Sequence, residues 1–409
     1  MRPRALRRWL ALPLRLPLPL PLPLTLGLTL ALMAWPARAE SAGASAPEST
    51  EDRTPSTTVA AAGATRALGR LHAADIGLVI NSADPYSVRV GEYYIAARGL
   101  QPEQVLRLPL PLRATLTPIE FAAFQAALVE AFGSPREARV QALALAWRAP
   151  YAVGCLSIGG ALALGLDALD CAHTCARSAP SPYFNSASAR PARELGPWPS
   201  MLLAAADADS ALALIDRGVA ADHSLGWRGA PQVDALFLSS GDRARNGRAA
   251  LYPPAGQIGP LGVRVQRAAV GDVLPASASA PALPVERVLL AQVGLARLPP
   301  LAPLGFVPGA LADHLTSYGG RLDDPRGQSS ALAWIEAGAT ASHGTVSEPC
   351  AHAEKFPHPQ LLLLHYLQGQ TAIEAYWKSV AWPAQSLFIG EPLAAPFARY
   401  VAWPVTPSR

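Results

Sequence analysis

Lysine is almost absent from this 409-residue chain: Lys355 and Lys378 are the only two. Nothing clusters the arginines with aromatic residues either, so a nucleic-acid groove is not expected. There is no internal repeat of the kind that builds a solenoid. Acid is missing from the first 39 residues, which carry six arginines. Once these are set aside, 28 basic residues face 30 acidic ones, so the basic balance of the whole chain belongs to its front end. Charge is sparse at 16%, whereas hydrophobic residues make up 50%, ample for a packed core.

That front end has the pattern of a secretory signal peptide over residues 1–39. An uncharged, leucine-rich stretch from Leu16 to Trp35 leads to Ala37-Arg38-Ala39, a small-residue cleavage pattern before Glu40. Prolines at 17, 19, 21 and 23 disfavour a continuous spanning helix, so no stable membrane insertion is expected after cleavage. The chain is expected in the periplasm or outside the cell. Residues 40–70 lack apolar periodicity and read as a disordered tether. Residues 71–409 read as one domain.

In an oxidising compartment the four cysteines, Cys155, Cys171, Cys175 and Cys350, are disulfide candidates that allow three pairings. A structural role is preferred to redox or metal use of the Cys171/Cys175 pair. Short apolar runs at 76–80, 105–110, 140–147, 233–239 and 287–293 read as buried strands. Helices alternate with them: Asp84-Pro85 is a cap and first turn, and Thr117-Pro-Ile-Glu120 and Thr371-Ala-Ile-Glu374 are capping boxes. This order predicts an α/β fold, a mainly parallel sheet flanked by helices, with an excursion at about 149–198.

Reactive side chains concentrate between Gly309 and His365, which hold five of the eight histidines and Cys350. Gly309 to Ser317 is predicted as a short helix, Gln328 to Glu336 as a helix and Ala339 to Val346 as a strand. Asp313, His314 and Ser317 are an acid, a base and a nucleophile within five residues, the types a hydrolase combines. The competing reading is that Asp313 or His314 anchors the Gly319-Gly320 loop. Cys350 with His314 or His343 is a second nucleophile pair, against which a disulfide to the 155–175 region is weighed. His343, Glu348 and Glu391 are candidate binding residues. His343, Glu348, Cys350, His352, Glu354 and His358 are ligand types, but Pro349 and Pro357 break the spacing, so no metal or other cofactor is expected.

Four segments, Asn81-Ser-Ala-Asp-Pro85, Pro308 to Gly320, Gly338 to Cys350 and Gly390-Glu-Pro-Leu393, resemble an uncharacterised family of exported bacterial proteins over about residues 75–400. The C-terminal half is weakly similar to gingipain-type cysteine peptidases. That similarity implies a caspase-like or related doubly wound sheet. The peptidases carry a His after one strand and a Cys after the next; here the first position falls near Val293-Gly294, which has no His, and the second in Gly309 to Gly320, which has no Cys. His343 stands where the exported family is expected to have Tyr. The resulting expectation is an exported binding module, with a hydrolase built on the Asp313/His314 region as the alternative.

Overall fold

The computed structural model describes residues 70–277, 279 and 284–398. The expected signal peptide, and the tether apart from Arg70, lie outside the described residues. The fold begins with strand β1 (Ile76–Asn81), buried throughout, and helix α1 (Pro85–Arg98). Asp84 caps α1 by accepting from the Tyr86 amide, and Gly99 ends it in the left-handed conformation at φ 65°. Within α1, Gly91 permits close approach: a Cβ there would stand 2.5 Å from the Ile80 side chain. The next elements are β2 (Val105–Leu108), β3 (Thr115–Leu116), α2 (Pro118–Phe132) and β4 (Ala142–Leu145). Thr117 and Glu120 form the expected capping box at the start of α2.

The excursion contributes β5 (Ala152–Val153), β6 (Leu156–Ser157), α3 (Ile158–Leu164) and α4 (Pro191–Leu195) before the chain returns as β7 (Ser200–Leu202). Then come α5 (Ala208–Ala221), β8 (Val233–Ser239), β9 (Gly256–Ile258), β10 (Val263–Ala269), α6 (Val270–Val273), β11 (Val285–Val293) and β12 (Leu304–His314). The chain closes through α7 (Leu332–Glu336), β13 (Ala341–Thr345), α8 (Pro359–Leu367), α9 (Ala372–Ser379) and β14 (Ser386–Gly390).

Eleven strands form one sheet in the order β2-β1-β4-β7-β14-β13-β12-β11-β8-β10-β9, and β3, β5 and β6 form a small second sheet. Helices flank a mostly parallel mixed sheet, a doubly wound α/β architecture. β13 and β14 run antiparallel, from Ala341 opposite Gly390 to Thr345 opposite Ser386. Strands β2, β1, β4, β7 and β14 are mutually parallel, as are β13, β12, β11, β8 and β10. β9 runs antiparallel to β10, and the loops after β4, β12 and β13 come together: Tyr151 hydrogen-bonds Asp323, and Ser347 donates to the Cys155 carbonyl at 2.6 Å.

The predicted helix over Gly309 to Ser317 is corrected: this segment is the end of β12 and the loop after it. Alanine and leucine favour helix in isolation. In the middle of a sheet buried on both faces, however, the same run makes a strand, a case that periodicity cannot separate from a buried helix. β10 carries a parallel pairing that the sequence reading missed.

Both disulfides tie down the excursion. Cys155 bonds to Cys171 within it, and Cys175 bonds to Cys350 in the loop after β13, with Cα atoms 5.4 and 5.1 Å apart. Ser157 at the start of α3 donates to the Ser386 carbonyl at 2.6 Å, so the excursion also grips the start of β14. Both lysines are buried: Lys355 donates to the Thr174 carbonyl at 2.6 Å, and the Lys378 ammonium lies 4.9 Å from the Tyr183 ring centre.

Candidate functional site

Asp313 and His314 are consecutive residues of a strand, so their side chains leave opposite faces of the sheet. Asp313 lies in register with Gln292 on β11 and His343 on β13. These three, with Phe388 opposite His343 on β14, make one row across the buried sheet. Gln292 donates to Asp313 Oδ2 at 2.8 Å. Arg248 covers the row. Its Nη1 stands 2.6 Å from Asp313 Oδ1 and hydrogen-bonds the Pro357 carbonyl at 3.0 Å. The approach to Asp313 is an ion pair without hydrogen-bond alignment, since Oδ1 has no hydrogen-bond partner.

Burial pushes the Asp313 carboxyl above the usual range, while Arg248 and the Gln292 amide pull it back. His343 packs between Phe356 and Phe388, with ring centres 5.7 and 5.3 Å away, and among the described residues neither of its nitrogens has a hydrogen-bond partner. Burial, then the charge of Arg248, holds this ring well below the ordinary histidine pKa and therefore neutral. The row is sealed from solvent and acts as a clamp between β12 and the segment carrying Arg248.

On the other face, His314 is fully committed. Its Nδ1 accepts from the Trp334 indole at 3.0 Å, so Nε2 carries the proton and donates to the Ser329 carbonyl at 3.0 Å. Burial lowers its pKa to about 4. His314 thus anchors the loop after β12, and neither Asp313 nor the Ser317 hydroxyl is its partner.

No family model, curated protein or solved structure matches this chain. The functional reading rests on what the residues do.

Ser317, Glu348 and Cys350 do come together. With Arg245, Thr316 and Pro349 they line a crevice of about 310 Å³ outside the C-terminal ends of β8, β12 and β13. The Ser317 carbonyl accepts from Thr345 Oγ1 at 3.0 Å, while its hydroxyl has no hydrogen-bond partner among the described residues. Glu348 Oε1 receives the Cys350 amide at 2.8 Å, shaping a turn in which Cys350 and Ala351 have φ of 55° and 56°. Arg245 is held by Asp242 at 2.8 Å and reaches Thr316 Oγ1 at 3.3 Å. The crevice therefore presents both charges and a hydroxyl on backbone-rich walls, one of them fixed by the Cys175–Cys350 bond.

Glu391 belongs to the other edge of the sheet. It is buried, receives Arg98 at 2.6 and 2.9 Å and the Tyr94 hydroxyl at 3.0 Å, and packs so tightly on α5 that a Cβ at Gly218 would stand 2.3 Å from it. Arg98 also holds Asp222 at 2.6 Å. This network binds the end of β14 to α1 and α5, apart from the other candidates.

The ligand-type residues of the 343–358 segment are likewise spread out. His343 is in the buried row, Cys350 is in a disulfide, His352 stacks near Trp382 and His358 caps α8. Among the described residues no group of three or more His, Cys, Asp or Glu is placed to hold a metal ion. Gly294, after β11, has no room for any side chain, because a Cβ would stand 2.0 Å from the Arg245 carbonyl oxygen. Arg245, Arg248 and Trp334 are the site residues that sequence reasoning missed. Their partners Thr316, Asp313 and His314 are more than 15 residues away, and the one local contact, Arg245 with Asp242, carries no sign of a site.

Proposed function

We propose that this chain is an exported, non-catalytic binding module that recognises a polar segment of a partner protein through the crevice beside Ser317. The observation that carries this reading is the Cys175–Cys350 disulfide. It uses the thiol a cysteine nucleophile would need and makes the loop carrying it a crevice wall. Two disulfides agree with folding in an oxidising compartment, and among the described residues no helix is long and apolar enough to cross a membrane. Support also comes from the separation of Asp313, His314 and Ser317, since a serine nucleophile requires an oriented base within hydrogen-bond reach.

Replacing Ser317 by the photo-crosslinker p-benzoylphenylalanine, in cells that export the chain, tests the reading. A discrete adduct is expected from position 317 and not from the exposed Val129 on α2. Equal labelling from both positions, or hydrolytic turnover abolished by Ser317→Ala, would overturn it.

A further inference from the structure

A second crevice, of about 450 Å³, opens where the ends of β1 and β4 meet the loop after β12. β1 is flanked by β2 on one side and β4 on the other, so the chain leaves β1 in one direction and, after β2, returns past it in the other. This is a topological switch point. Loops that leave neighbouring strand ends in opposite directions open a gap there, and doubly wound sheets use such gaps for ligands. The crevice includes Asp84, just beyond β1, and Arg148, just beyond β4.

Its walls are preformed. Asn81 locks the end of β1 to the following loop, accepting from the Leu110 amide at 2.8 Å and donating to the Leu110 carbonyl at 3.1 Å. The Tyr86 hydroxyl donates to the Leu203 carbonyl at 2.9 Å and accepts from the Ala205 amide at 3.0 Å. Tyr151 hydrogen-bonds Asp323, which brings the loop after β12 across to complete the lining.

The charges indicate the ligand. Arg148 uses Nη1 on the Ala206 carbonyl at 2.6 Å, and no hydrogen bond engages its Nη2 or Nε among the described residues. Arg113 lies on the rim, paired with Glu120. Asp84 spends Oδ1 on the Tyr86 amide, and Asp323 spends Oδ1 on Tyr151 and the Asp324 amide, leaving the second oxygen of each carboxylate. Leu112, which is 62% exposed, and Leu322 add an apolar surface. A purely anionic ligand would face two carboxylates, and a cationic one two guanidiniums. A molecule bearing both charges beside an apolar group satisfies all of them.

We propose that this crevice binds a small zwitterion of the amino-acid kind, a free α-amino acid or short peptide with an apolar side chain. Its carboxylate pairs with Arg148, its ammonium with Asp84 or Asp323, and its side chain lies on Leu112 and Leu322. The site is independent of the crevice beside Ser317 and of the reading attached to it.

Isothermal titration of the full chain with L-phenylalanine, L-leucine and L-alanyl-L-phenylalanine tests the proposal. Saturable binding of at least one is expected. N-acetyl-L-phenylalanine lacks the ammonium and L-phenylalaninamide the carboxylate, so each is expected to bind the chain at least about tenfold more weakly than L-phenylalanine, a loss of about 1.4 kcal/mol. Arg148→Gln should weaken binding by a similar factor while leaving the melting temperature unchanged. If that variant fails to fold, the blocked ligands still decide. No saturable binding by any of the three probes, or equal affinity for the blocked and unblocked forms, would overturn the proposal.

Discussion

The two crevices share the loop after β12 but are built in different ways. The crevice beside Arg148 sits at a switch point between parallel strands, and hydrogen bonds from the Asn81 and Tyr86 side chains to neighbouring main chain shape it. The one beside Ser317 lies beyond β8, β12 and β13, and a disulfide and a buried ion pair fix its walls. Strand topology thus produces the crevice beside Arg148, whereas long-range covalent and ionic links hold the one beside Ser317. The latter should therefore be the easier to damage by single changes.

The largest effect is expected at the clamp beneath the crevice beside Ser317. Asp313→Ala or Arg248→Ala leaves a buried, unpaired charge, and the expected loss is about 3–5 kcal/mol by denaturant unfolding. An Arg248→Met/Asp313→Leu double variant should lose less than either single change. Next is the disulfide. Cys175→Ser/Cys350→Ser is expected to cost roughly 2–5 kcal/mol. It should abolish crosslinking from position 317 while preserving amino-acid binding at the crevice beside Arg148.

Acid should sharpen the contrast further. With an ordinary histidine pKa of 6.5 in the unfolded chain and about 4 in the fold, His314 binds its proton mainly when unfolded. Its contribution is complete above about pH 6.5, is lost as pH falls towards 4, and is constant below that. The loss from this group approaches about 3 kcal/mol. His314→Gln can keep both hydrogen bonds, so its unfolding free energy should fall less steeply across this window than that of the parent chain. The smallest effect is expected for Ser317→Ala: its hydroxyl has no internal partner, so stability should change by less than about 0.5 kcal/mol.

These expectations draw on parts of the molecule that were unequally legible in the sequence. The Asp84 cap and the Thr117 box were readable because their partners lie within three residues. Both capping boxes and the strands of the first half were found where local chemistry placed them. Gly309 to His314 was misread because its alanines and leucines suit a helix, and only neighbours on both sides make it a strand. That change matters for chemistry, since it sends Asp313 and His314 to opposite faces. All four cysteines were recognisable as disulfide candidates, but not their pairing, because Cys175 and Cys350 are 175 residues apart. Arg248 carried no signal at all: its partner Asp313 is reached only after three more strands have formed.

The central claim is that the crevice beside Ser317 recognises a partner through its charged walls. The most direct measurement is photo-crosslinking from position 317 in a chain that also carries Arg245→Glu and Glu348→Arg, with amino-acid binding at the other crevice as the control for folding. The account expects the adduct to fall to the level seen from Val129 while that control is unchanged. Undiminished adduct from the charge-reversed crevice would contradict it.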